Sequence, residues 1–207
     1  MQTYAVIDFE TTGLSPNFDR AIEVGLVLVR NHEIVETYSE LMDPGFAIPS
    51  HITSLTGIST SMVRGKPKPE KVMPHLREIV GSYPCVAHNA SFDRGFLAAE
   101  MRRAGIPCQP EFVCSMLLAR RLVQDCASHK LGMLVQHLGL ATPAGMRAHR
   151  ALADCLMTVE LWRCLMERVE SQLPGYVPDP GFITKLSRTP KAKVDAFLSR
   201  AAAQVCS

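Results

Sequence analysis

The apolar run that opens the chain predicts a strand over residues 4–8, and a second run rich in Val and Ile predicts another over 21–30. Residues 34–41 alternate apolar with polar positions, the pattern of a half-buried strand. The segments between these strands are short turns, Gly13-Leu-Ser-Pro-Asn17 and Asn31-His32-Glu33, so the three are expected to form an antiparallel meander. Residues 43–68 are rich in Pro, Gly, Ser and Thr and read as a long loop with a helical turn around 50–55. The spacing then changes to three and four. Val72, Met73, Leu76, Ile79 and Val80 predict a helix over 70–80, and Phe92, Phe96, Leu97 and Met101 predict one over 91–104 that stops at Gly105. Short strands are expected at 85–87 and 111–114, and further helices at 116–123, 131–138 and 148–169. Residues 171–181 hold three prolines and two glycines and read as a linker, with a last helix over 191–205. The order β-β-β-α-β-α-β-α-α-α predicts an α/β domain over 1–170, a mixed sheet flanked by helices with its first three strands antiparallel. Residues 171–207 form an extension.

Composition narrows the partners only a little. The chain has 207 residues, 47% hydrophobic and 20% charged, with a net charge of +2, so no global basic field marks a polyanion partner. The charge is uneven, however. Lys185, Arg188, Lys191, Lys193 and Arg200 face only Asp179 and Asp195 in the extension, which makes it basic and leaves the body near neutral. Seven cysteines, odd in number and without a C-x-x-C pair, favour thiols over a zinc site or a disulfide framework. Cys85, Cys114, Cys155 and Cys164 sit among apolar residues as small core side chains. There is no run long enough for a membrane span and no basic and apolar leader pattern, so a cytoplasmic protein without a membrane partner is expected.

Candidate chemistry begins at the end of the first strand. Asp8 and Glu10 are two apart, so in a strand both carboxylates point to the same face. Two like charges buried together are costly, and a hard divalent cation is the natural compensator. Asp93 falls in the first turn of the helix after Val86-Ala-His-Asn-Ala-Ser-Phe-Asp93, and His149 and Asp154 open the longest helix. Singly, these residues suit a solvated strand end, a helix N-terminal acid and a capping histidine. A histidine among carboxylates is also suited to general-base work near neutral pH.

Taken together and in this order, D-x-E, H-N-x-x-F-D and H-x4-D resemble the DnaQ-like (DEDDh) 3′→5′ exonucleases over most of residues 4–168. The resemblance implies a ribonuclease H-like fold and two divalent ions, Mg²⁺ or Mn²⁺, held by Asp8, Glu10, Asp93 and Asp154, with His149 as general base. It also implies that Thr11 and Leu14 hold the terminal nucleotide, that Phe92 walls one base, and that His88 and Asn89 lie near the substrate. Where relatives often read H-G-I after the third strand, this chain has Thr56 before the glycine. Asp8-Phe-Glu-Thr-Thr-Gly-Leu14 is closer to the DNA-directed branches than to the RNA-trimming ones. Residues 114–121 and 142–155 resemble the stand-alone exodeoxyribonuclease X branch, with the polymerase III epsilon proofreading subunit as the neighbouring alternative. The expected partner is a DNA 3′ end, or else RNA, and the extension is a candidate contact for a protein partner or for the nucleic-acid backbone. An alternative of another class, a non-catalytic nucleic-acid-binding module, would ordinarily have lost one of the five site residues; all five are present.

Overall fold

The computed structural model describes residues 3–107, 110–142, 145 and 149–205. Cys108, Cys206 and position 148, where the longest helix is expected to begin, lie outside them. Five strands form one mixed sheet: β1 (Thr3–Thr11), β2 (Ala21–Arg30), β3 (Glu33–Leu41), β4 (Cys85–Ala87) and β5 (Phe112–Cys114), in the order β3-β2-β1-β4-β5. The first three strands pair antiparallel, as expected, and β4 and β5 continue the sheet parallel to β1. None of the described helices is long and apolar enough to cross a membrane.

Strand pleating decides what each face carries. Ala5, Ile7 and Phe9 of β1 face a core built with α3 (Pro69–Val80) and α4 (Ala90–Arg103). Tyr4 and Val6 face the opposite core, built with α5 (Ser115–Leu122), α6 (Leu131–His137) and α7 (Ala151–Gln172). The same alternation carries Asp8 and Glu10 onto the α7 side. β1 runs to Thr11 rather than stopping at Asp8, so both acids stand within a strand and share its rigidity.

Three expectations need correction. β3 alternates in sequence but is exposed along most of its length, because it is the sheet edge and α7 packs chiefly on β1 and β2. The stretch read as a loop with one helical turn holds α1 (Ser50–Thr56) and α2 (Thr60–Val63), which close a small core of Ile22, Ile48, Ile52, Ile58 and Val63. An unexpected helix, α8 (Pro180–Arg188), starts inside the stretch read as a linker. The Asp179 carboxylate accepts the Phe182 N–H at 2.7 Å, and Pro180 fits the first helical position, so the prolines here start a helix instead of breaking one. Ile183 and Leu186 of α8 and Val194 and Leu198 of α9 (Val194–Val205) are buried in the α7-side core.

At Gly25 the sheet has no side chain to spare. A Cβ built there would lie 2.4 Å from the backbone carbon of Ala151, at the start of α7. That overlap involves backbone, so it cannot be relieved by a rotamer change. Gly25→Ala is expected to cost about 1–3 kcal/mol and to lower Tm by several degrees. A Tm equal to that of the parent would mean that α7 is not seated on β2 as described.

Candidate active site

Past Val6 the parallel pairing of β1 with β4 ends, and a crevice opens at the C-terminal ends of these strands. The Phe9 N–H, left without a strand partner on that side, donates to Asp93 Oδ1 at 3.1 Å. This bond, from one face's helix to the central strand, holds a fully buried carboxylate beside the crevice. Asp93 stands in the first turn of α4, where the helix dipole favours an acid.

The other half of the site comes with α7. The buried Glu23 of β2 accepts Arg150 Nη2 at 2.6 Å and the Ala151 N–H at 3.0 Å, so it caps the N-terminus of α7 in place of a local side chain. Glu23 lies directly across from Glu10 in the β1–β2 register. The clamp and the missing side chain at Gly25, opposite Asp8, together fix where α7 begins. Three residues further on, Asp154 reaches the crevice. His149 precedes the helix with a φ of 59°, an uncommon left-handed conformation for a residue with a side chain. Its backbone N–H donates to the Asp154 carboxylate. Glu10, His149 and Asp154 each bring one ligand atom to within 4.8 Å of the others.

Electrostatics mark the cluster as unfinished. Burial, and then repulsion from Asp93, Asp154, Glu10 and Glu23, pushes the Asp8 carboxyl well above the usual range. Burial raises Glu10 to about 8, with Asp154, Glu23 and Asp93 adding to the effect. Burial raises Asp93 to about 7 despite its backbone hydrogen bonds. Asp154 is also raised by burial, and the neighbouring His149 opposes the shift. The nearby cation, Arg150, is already committed to Glu23. A set of hard oxygen donors that repel one another at neutral pH suits a divalent ion such as Mg²⁺ or Mn²⁺.

The other anticipated residues separate into two groups. Leu14 is 85% exposed on the turn after β1, and so is Phe18, which sequence reasoning passed over. Their turn is tightly braced. Asp19 accepts from Thr12 Oγ1 and the Ser15 N–H, and Arg103 Nη2 donates to the Pro16 carbonyl at 2.7 Å. Arg20 and the Ala21 N–H both donate to the fully buried Glu100. Asn89 is exposed beside the crevice, and Phe92 is partly buried with its ring 4.8 Å from that of Phe96. Thr11 is buried, and its hydroxyl donates to the Gly13 carbonyl at 2.6 Å, which leaves the turn backbone to meet a ligand. His88 does not face the substrate side with a free nitrogen. Nδ1 meets Ser115 Oγ and Nε2 meets the His129 carbonyl, both at 2.9 Å, and burial holds the ring near a pKa of about 4. It braces α5 and the loop before α6 instead. Glu23 and Glu100 also escaped the sequence reading. Their signal was an acid inside an otherwise apolar run, since such acids are rarely buried without a partner.

Residues 5–162 match the RNase_T family model, described as Exonuclease. The chain is 36% identical over 170 residues to the DNA polymerase III PolC-type of Clostridium perfringens, a match spanning 82% of this chain and 12% of that polymerase. Exonuclease X in complex with 5′ overhanging duplex DNA superposes with a TM-score of 0.69 at 31% identity, covering 89% of this chain and 99% of that one. The nuclease domain of 3′hExo, a DEDDh family member bound to rAMP, superposes with a TM-score of 0.68 over 80% of this chain and 92% of that one. At 20% identity, that last likeness speaks to the fold.

The raised acids have a consequence for stability. Glu10 and Asp93 bind protons more tightly in the folded chain, at about 8 and about 7, than in the unfolded one, near 4. Between those limits the folded state holds more protons, so their contribution to the stability of the metal-free protein is lost as pH rises from about 5 to about 8. In chelator, the wild-type Tm is expected to fall over this window more steeply than that of Glu10→Gln, and added Mg²⁺ is expected to raise Tm more at the alkaline end. Parallel melting curves for wild type and variant would remove Glu10 from the repelling cluster.

Proposed function

The chain belongs to the RNase_T exonuclease family, and from that premise we propose that it shortens DNA from the 3′ end, releasing nucleoside 5′-monophosphates by hydrolysis. The observation that carries this reading is the convergence of Glu10, His149 and Asp154 beside Asp8 and Asp93. We assign Asp8, Glu10, Asp93 and Asp154 to hold two divalent ions, Mg²⁺ or Mn²⁺. When bound, such a pair supplies charge neutralisation at the scissile phosphate and lowers the pKa of an attacking water.

The chain's own residues supply the rest. His149, the exposed member of the cluster, takes the proton of the attacking water; a ring nitrogen lies within 4.8 Å of the Glu10 and Asp154 carboxylates, and its backbone N–H is tied to Asp154. The braced turn presents Leu14 and Phe18 as apolar surfaces against the terminal bases, a contact that accepts any base because every base has an apolar face. Phe92 and Asn89 flank the other side of the crevice. DNA is favoured over RNA because exonuclease X, at 31% identity over nearly its whole length, was solved with duplex DNA. The chain spans only 12% of the PolC-type polymerase it resembles.

Incubation of 5′-labelled DNA and RNA oligonucleotides of one sequence with Mg²⁺ is expected to give a ladder shortening from the 3′ end, faster on DNA and absent in chelator. Equal or faster shortening of the RNA would reverse the substrate assignment. His149→Ala is expected to lower kcat by roughly 10²–10⁴-fold with little change in substrate affinity, the range for loss of a general base. Wild-type turnover by that variant would exclude His149 from proton transfer.

A further inference from the structure

Between the start of α4 and the end of α8 lies a cleft of about 160 Å³, lined by Ser91, Arg94, Phe112, Thr184, Ser187 and Arg188 among others. Several features there lack partners. Ser187 is 5% exposed, and its hydroxyl has no hydrogen-bond partner among the described residues. A buried hydroxyl left unpaired is costly, so its presence calls for a ligand. Arg94 of α4 and Arg188 of α8 are exposed, and neither guanidinium makes a hydrogen bond or ion pair with any described residue. The third feature is the beginning of α4 itself. Asn89 precedes it in a left-handed conformation with a φ of 80° and gives no side-chain cap, while Ala90 and Ser91 of its first turn line the cleft.

Two guanidinium groups, an uncapped helix N-terminus and a hydroxyl donor form a set suited to an anion with several acceptor oxygens. Position narrows the choice. Arg94 follows Asp93, so the cleft and the acid cluster lie on adjoining sides of one turn of α4, within about one helix diameter of 10–12 Å. β1, β4 and β5 are parallel, so the cleft beside Cys114 opens at the same end of the sheet as Glu10.

We propose that this cleft binds a backbone phosphodiester of the nucleic-acid strand whose 3′ end occupies the acid crevice, with α8 supplying Ser187 and Arg188. This rests on the nuclease reading above. It gives the C-terminal extension, which lies beyond the residues matched by the family model, a direct part in holding substrate. α8 can serve in this way because Ile183 and Leu186 anchor it in the core.

The test is binding of a labelled single-stranded oligonucleotide by fluorescence anisotropy across a salt series, with Ca²⁺ replacing Mg²⁺, for wild type and Arg94→Ala/Arg188→Ala. Each lost phosphate contact lowers the slope of log K against log salt by about 0.7 for single strands, so a decrease of roughly 0.7–1.4 is expected. Arg30→Ala, which removes one positive charge at the far end of β2, is expected to keep the wild-type slope, whereas each of Arg94→Ala and Arg188→Ala alone is expected to lower it. Ser187→Ala leaves the charge unchanged and is expected to weaken affinity several-fold at fixed salt. An unchanged slope in the double variant overturns the proposal, as does an equal decrease in Arg30→Ala. If inorganic phosphate raises the wild-type Tm, not that of the double variant, while the oligonucleotide slope stays the same, the cleft takes free phosphate and not the strand. Failure of the wild-type protein to bind or shorten any oligonucleotide would instead count against the nuclease reading itself.

Discussion

The first turn of α7 rests on the backbone of β2 at Gly25 with no room for a methyl group, and Glu23 two residues earlier grips the same turn through Arg150 and the Ala151 N–H. This docking sets the separation between Glu10 on the strand and His149 and Asp154 on the helix side. Divalent-ion sites and proton transfer tolerate errors well under an ångström, so a contact that looks structural decides whether the chemistry can occur. Its energetics also fit the task. The Glu23 carboxylate is buried, but the guanidinium and a helix N-terminus offset its desolvation, so it can stand beside the site acids without joining them.

The site acids have less of it: Asp93 accepts the Phe9 N–H and Asp154 the His149 N–H, but no arginine or lysine among the described residues forms an ion pair with them. They are held by burial and backbone geometry on rigid elements, Asp8 and Glu10 in the central strand and Asp93 and Asp154 in the first turns of two helices. The fold therefore keeps a local energetic deficit where a cation would remove it, the usual relation between strain and function.

Much of this could be read from the chain. The mixed sheet with its antiparallel beginning followed from run lengths and turn residues; the five proposed site residues came from the resemblance of their three motifs to the exonuclease family, with strand periodicity placing Asp8 and Glu10 on one face. What escaped depends on long-range packing. Glu23 pairs with a residue 127 positions away, and nothing local marks Gly25 as the seat of a helix. His88 was expected near the substrate from its motif, and its ring nitrogens are taken by Ser115 and the His129 carbonyl, partners 27 and 41 positions away that no local pattern marks. The missed α8 is a different kind of error. Asp179-Pro180 is a legible helix start, but the density of prolines outweighed it.

The exposed third strand has a meaning beyond its lack of cover. A bare edge invites pairing with another chain, and here it carries Glu33, Glu36 and Glu40 along one margin of the sheet. Two copies meeting edge to edge would bring like charges together. On the nuclease reading, the same row of glutamates would repel a phosphodiester backbone at β3, opposite the margin where Arg94 and Arg188 line their cleft. A difference of charge between the two margins of one sheet would orient a polyanion before any specific contact formed.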